Sequence, residues 1–553
     1  MKFDKIFILS MLVMMICCVT AVSATDINST DDLPVDEVSE VIEDVEIDDV
    51  SDGVVEEQNL VTSTNEENVV TNDTFPLYFD NDGVLFNPVN DLEFQGTFDH
   101  MPFANFIIEN DISLTFTNAT FENVGFEIYT PDLTFNGATF NSYQNSNGGA
   151  VIYVEAEGVT VSNVKMNITA VSSDNVYAFY LNNASTSKLL NNNIWFYAPD
   201  TNSQKYKHVI RVVGGTNVEI KHNNITAYLP LKDVDFSQTY PSIYTDLVAG
   251  IAIQSSNYIN VSYNKLEVNA SARNGGYPTL DSLIIVQSTG AYIGHNIITE
   301  IDNVTLPGEN DYLYAVDVYQ CNNITIDSNV LTLRSVGGTY VTGTDNGTST
   351  AYGIQLTGGH VGVVISNNNI TTSNNGPNAG IYSQNYPGVT SLSITGNRIN
   401  VSGNAGLHSW SLVTGMELGD DYAYVARNII NVINKAAYVS SHNTYGISYS
   451  QYAMRSPNFN VTNNTVSVKN GTYAVYIMSR GSVTNNCLNT TAYCGNNAVN
   501  PNSNVARSGN YCPLGSSCSC DSGCTCHSVN SVSNSFVDSR FADMAVHKSG
   551  AFI

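Results

Sequence analysis

One spacing governs this chain: an apolar residue, two others, an asparagine, one other, then a second apolar residue. It first reads Leu190-x-x-Asn193-x-Trp195 and Ile220-x-x-Asn223-x-Ile225. It then recurs around Asn264, Asn296, Asn329, Asn368, Asn397, Asn428 and Asn464, and closes as Val483-x-x-Asn486-x-Leu488. Relatives without the Asn come earlier, as Phe116-x-x-Ala119-x-Phe121, Phe135-x-x-Ala138-x-Phe140 and Val161-x-x-Val164-x-Met166. Together they make about 13 repeats at a mean spacing of about 31 residues, a period that marks a repeat architecture rather than one compact globule.

The apolar positions alternate with period two, as in Val218-x-Ile220 and Ile324-x-Ile326, and β-branched residues dominate them. Charged residues are only 13 % of the chain, so the Lys, Glu and Ala that clothe exposed helix faces are thin. Short strands separated by Asn/Gly/Ser turns therefore predict an all-β chain, a right-handed parallel β-helix of about 13 coils and about 60 Å in length. The recurrent Asn is expected at one tight turn of every coil, tolerating left-handed backbone angles and bonding the Asn of the next coil as a ladder. Antiparallel hairpins with Asn-Gly turns, which a β-propeller of this period needs, are missing.

Lys2 and Lys5 precede an apolar run from Ile6 to about Val22, and Val22-Ser23-Ala24 offers a cleavage site. Residues 1–24 thus read as a secretory signal, leaving no transmembrane span in the mature chain. Residues 25–75 carry many acids and no Lys or Arg, the composition of a disordered acidic spacer. The net charge of −30 excludes a nucleic-acid partner and electrostatic docking on anionic lipid. The β-helix is assigned to residues 76–500. The tail 501–553 gathers Cys512, Cys518, Cys520, Cys524 and Cys526, which in an exported chain point to disulfides rather than metal, with Cys487 or Cys494 available to join. Sequons such as Asn118, Asn224, Asn260, Asn323, Asn369 and Asn460 could carry glycans. No cofactor and no metal site is expected, because the histidines have no partner at ligand spacing.

Signal, acidic spacer and Asn-centred β-helix together resemble the adhesin-like surface proteins of methanogenic archaea. The opening Leu92-Glu93-Phe94-Gln95-Gly96-Thr97-Phe98 is similar to the way their β-helices begin. The resemblance covers roughly residues 1–500 and implies export and a β-helix. The immunoglobulin-like repeats or C-terminal anchor common in that family are missing here, which leaves attachment to the cell open.

The outward positions of the strand before each Asn motif form a column along one face of the expected helix. That column reads Tyr180, Arg211, Ala252, Ile285, Asp317, Gln355, Tyr382, Glu417, Ser448 and Tyr476, with Gln254, Gln287, Tyr319 and Gln384 one step along. Its two acids, Asp317 and Glu417, sit three coils and about 14 Å apart, whereas paired glycosidase carboxylates stand about 5 Å or about 6.5–9.5 Å apart. Asp420-Asp421 and Gly359-His360-Val361 resemble fragments of polygalacturonase motifs in the wrong order, and Arg211 is the lone cation on the column. Tyr rings and amides instead suit a binding surface, with Tyr180, Arg211, Asp317, Gln355, Tyr382, Glu417 and Tyr476 as the candidate residues. The reading is a secreted or cell-surface adhesin-like rod that binds extracellular polysaccharide or a cell-surface glycoprotein. A polysaccharide-degrading enzyme and a purely structural envelope rod are the alternatives.

Overall fold

The computed structural model describes residues 68–87, 89–141, 149–170, 175–198, 207–233, 248–273, 278–303, 311–335, 349–384, 391–404, 412–420, 422–436, 444–449, 458–513 and 526–527. Signal segment 1–24 and nearly all of spacer 25–75 lie outside them. Within this range the chain forms a parallel β-helix of three parallel sheets, each of 13–15 strands.

Each coil visits the sheets in the same order. In one of them Asn193–Tyr197 lies in the first sheet, Lys207–Val213 in the second and Glu219–Lys221 in the third. The third sheet has 13 strands, one per coil. Inward side chains stack coil on coil into a continuous column of Ile, Val and Leu, nearly all with no solvent exposure. Burial of such apolar surface is the main favourable term in folding. The small residue before each second-sheet strand core is sterically required: a Cβ at Gly415 would stand 2.3 Å from Ile430 Cγ2 and 2.5 Å from the Gly446 carbonyl oxygen.

The ladder is formed at the corner between the third and first sheets. Asn223 shows its pattern. Its backbone N–H and its Nδ2 both donate to Oδ1 of Asn264 in the next coil, at 2.9 and 3.0 Å. Nδ2 also donates to the Leu189 carbonyl of the coil before, at 2.9 Å. The same bonds link Asn192, Asn223, Asn264, Asn296, Asn329, Asn368, Asn397, Asn428, Asn464, Asn486 and Asn510.

Three expectations need correction here. The first rung is Asn192, not Asn193, because Leu189 rather than Leu190 stacks on Ile220; Asn193 faces outward and accepts from Asn224 Nδ2 at 2.8 Å. Three consecutive Asn made the two registers indistinguishable in sequence. The left-handed residue is the one before the ladder Asn, running from Asn191 (φ 56°) through Tyr263 (58°) to Gly509 (66°), while the ladder Asn itself is not left-handed. The helix also extends beyond both ends of 76–500: Val69–Val70 pairs with Glu93–Phe94, and Val505–Ser508 stacks on Gly481–Thr484.

The first coils hold no ladder. Phenylalanine fills their interior, with Phe98 on Phe121 at 4.8 Å and Phe121 on Phe140 at 5.1 Å between ring centroids. This stack then continues through Met166 into Ile194.

Candidate functional site

The second sheet aligns the expected column with one change. Successive pairings run Tyr180, Arg211, Ala252, Ile284, Asp317, Gln355, Tyr382, Glu417, Ser448 and Tyr476. Ile284 takes the place given to Ile285, which points inward, and Gln287 sits in a left-handed turn rather than on the strand.

Facing outward has not left this column open. Ile284, Asp317, Gln355 and Ser448 are all buried, and Ala249, Ala252, Ile284, Val286 and Tyr319 form a second apolar cluster outside the coil. Tyr382 lies flat on Tyr352, with centroids 4.5 Å apart, and Tyr476 on Tyr445 at 4.7 Å. Arg211 packs over the Tyr180 ring at 5.6 Å, and its Nη2 donates to Gln254 Oε1 at 3.3 Å. The column is packed against itself.

Burial governs its acids. It pushes the Asp317 carboxyl up to about 7, against a hydrogen bond from Gln355 that lowers it, and pushes Glu417 up to about 7. Asp281 is raised well above the usual carboxylate range, first by burial and then by the charges of Asp317 and Glu300. Glu300 occupies an interior position between Val268 and Leu333 and rises to about 8 by burial, although Ser282 Oγ donates to it at 2.6 Å. Asp281, Glu300 and Asp317 are closed to solvent and Glu417 is half-buried, and burial holds all four above the usual carboxylate range.

The sequence fragments around His360 and Asp420 do meet. His360 Nε2 stands 2.6 Å from Asp420 Oδ1, and Ser383 Oγ bonds the other oxygen of Asp420. Asp420 lies between the other two, so the serine proton is directed at a carboxylate and not at the imidazole. A nucleophile needs the reverse order. With His360 and Asp420 both buried, the trio joins three coils as a structural bracket. His208 is likewise buried. Asp421 lies outside the described residues.

An open surface lies on the third sheet, away from the second-sheet column. A shallow groove of about 540 Å³ runs over its outer face, lined by Val364, Ser391, Ser393, Tyr422, Tyr424, Asn460 and Ser482, among others. Tyr422 is 53 % exposed and Tyr424 41 %. Ser393, Tyr424, Asn460 and Ser482 stand in register in four successive coils. None of the lining residues is charged, so the groove offers ring faces flanked by hydroxyls and an amide. A period-two count ahead of the Asn motif, instead of between motifs, would have exposed it.

Among the expected disulfide cysteines, Cys518, Cys520 and Cys524 lie outside the described residues. Cys512 is buried and pairs in register with Cys526, and Cys494 is disulfide-bonded. Cys487 is a buried thiol pushed up to about 11 by burial. Among the described residues no group of three or more His, Cys, Asp or Glu is placed to hold a metal, and no helix is long and apolar enough to cross a membrane.

No protein-family model matches the chain, and no curated protein matches it in sequence. Among solved structures it is similar to PfbA, a surface adhesin of Streptococcus pneumoniae, at 13 % identity over 76 % of this chain and 84 % of that one, with a TM-score of 0.31. It is also similar to the catalytic domain of a GH87 α-1,3-glucanase, at 13 % identity over 70 % of this chain and 62 % of that one, TM-score 0.28. A third likeness is to tailspike protein 3 of bacteriophage CBA120, at 9 % identity over 75 % of this chain and 58 % of that one, TM-score 0.25. Identities this low assign no residue a role.

Proposed function

We propose that this chain is an exported surface protein whose β-helix binds neutral polysaccharide in the groove on the third sheet. The observation that carries the reading is the pairing of two exposed tyrosine rings with uncharged Ser and Asn side chains along one open strip. Pyranose rings present apolar C–H faces to aromatic rings and hydroxyls to amides and hydroxyls, and such a lining supplies both. Tyrosine contributes this contact area at low conformational cost. The lack of charge in the lining favours a neutral glycan over a uronate polymer.

Export rests on the Lys2/Lys5 signal pattern, and attachment to the cell surface on the resemblance to archaeal adhesin-like proteins. Cleavage of the glycan is disfavoured because no carboxylate lines the groove. The test is a glycan array probed with the full chain beside a product assay on the same polysaccharides. Binding without product, lost in Tyr422→Ala/Tyr424→Ala, is the expected result. Release of oligosaccharides overturns the binding-only reading.

A further inference from the structure

We infer that the groove is one half of a longer track: a second aromatic platform lies on the same sheet, and the ligand is an extended linear glycan running along the rod axis. The inference rests on the groove reading and specifies its ligand.

The platform begins with an anomaly in the left-handed corner column. At that corner the chain otherwise uses mainly Asn or Gly, as at Asn191, Asn367, Gly396, Asn463, Asn485 and Gly509. In three consecutive coils it places His222, Tyr263 and His295 there instead, at φ 57°, 58° and 56°. His adopts such angles more readily than most residues, so the strain falls on Tyr263, and strain of this kind persists where something else selects the residue. The three rings are stacked, His222 on Tyr263 at 5.1 Å and 13°, Tyr263 on His295 at 4.8 Å and 4°. Tyr263 remains 39 % exposed.

Beside this ridge two more rings are laid over glycines. A Cβ on Gly294 would stand 2.2 Å from the ring carbon and hydroxyl of Tyr292, and one on Gly290 would stand 2.6 Å from the ring of Tyr258. Only glycine lets these rings lie down across the backbone. Tyr258 is 61 % exposed. Lys221, whose backbone pairs with Ser262 in the next coil, is held by Glu219 at 3.0 Å.

Tyr292 belongs to the same outward column as the groove. The pairings run Tyr292, Thr325, Val364, Ser393, Tyr424. Val364 already lines the groove, so the two surfaces are separated by two strand spacings, about 10 Å. Tyr292 and Tyr424 are about 19 Å apart on the same spacing. A mono- or disaccharide cannot touch both, and a linear chain along the axis can, gaining affinity because its second contact is intramolecular.

The test is calorimetric titration of the full chain with neutral gluco-, manno-, xylo- and galacto-oligosaccharides of increasing length and with the parent polymers. The expected result is at least a tenfold gain in affinity once the chain spans both surfaces. Tyr263→Ala/Tyr292→Ala removes that gain and leaves binding of short oligosaccharides intact, whereas Tyr424→Ala weakens short and long alike. A length gain that survives Tyr263→Ala/Tyr292→Ala overturns the platform, as does an affinity independent of length, and both results leave the groove standing. Failure of every length to bind overturns groove and platform together.

Discussion

Two outer faces of the same rod have opposite fates. On the second sheet much of the outward column is covered: Asp317 is 1 % exposed and Ile284 2 %, while Tyr180, Arg211, Tyr382, Glu417 and Tyr476 are half-buried. On the third, Tyr422 and Tyr424 stand open. Both faces obey the same alternation of inward and outward residues, so alternation does not decide exposure. The corners do. Passage from the third sheet to the first takes two residues, as at His222 and Asn223, which leaves no spare chain to cover the face. Passage from the first to the second carries the insertions. Strand Asn224–Asp233 runs out of the first sheet and pairs antiparallel with Thr279 beside the second. A face stays open here where its flanking corner is short.

The contrast can be broken most forcefully by one charge on each face. Ile284→Asp places an unpaired carboxylate at a buried outward position and should cost several kcal/mol, about 3 or more. Ser393→Asp, outward in the third sheet, should stay within about 0.5 kcal/mol. Denaturant midpoints of the two variants measure this, and equal losses would erase the distinction between the faces. The corner is next in size. Asn329→Ala strips Asn296 of the acceptor for its N–H and its Nδ2, at about 1–3 kcal/mol for each buried group left unpaired. An unaltered melting curve and unaltered local protease resistance would show that the ladder bonds contribute little.

The pH dependence sharpens the comparison further. Asp317, Glu417 and Glu300 have carboxyl pKa values raised to about 7, 7 and 8 by burial, so the folded chain holds protons that the unfolded chain releases. Their contribution to stability is therefore complete below the unfolded carboxylate pKa near 4 and is lost as pH rises through 7 to 8. The slope is on the order of 1 kcal/mol per pH unit for each group. Melting temperatures from pH 4 to 9 should show this fall, and Asp317→Asn/Glu417→Gln should flatten it; a wild-type slope in that variant would contradict the assignment. The smallest effect belongs to the platform. Tyr263→Asn restores the usual residue of the left-handed corner and should raise stability by up to about 1 kcal/mol while weakening binding of long glycans. A loss in stability would mean that ring stacking outweighs the backbone strain.

Much of the fold could be read because stacking forces repetition. Each Ile, Val and Leu of the motif must meet its counterpart one coil away, and each ladder Asn must accept from the next, so the constraint is written ten times over in the chain. Errors fell where repetition was weak. At Asn191-Asn192-Asn193 the register was degenerate, and at Asn510 the leading apolar residue is Arg507, so the last rung went unseen. In the site, the outward column is aligned almost fully in the sequence, yet alternation alone does not say which outward residues are covered. His360 and Asp420 are 60 residues apart in sequence and meet because only one coil, that of Ser383, lies between theirs. Tyr422 and Tyr424 sat in the short third-sheet strand, where three to five residues are too few for a pattern to stand out.

The most direct test of the account is to titrate the polysaccharide identified on the array into the full chain and into Tyr424→Ala and Tyr382→Ala. These variants remove one ring from each face. The account predicts at least a tenfold loss of affinity in Tyr424→Ala and unchanged affinity in Tyr382→Ala, whose cost appears as a lower melting temperature. Loss of binding in Tyr382→Ala, with Tyr424→Ala binding as wild type, would move the site to the second sheet and contradict it.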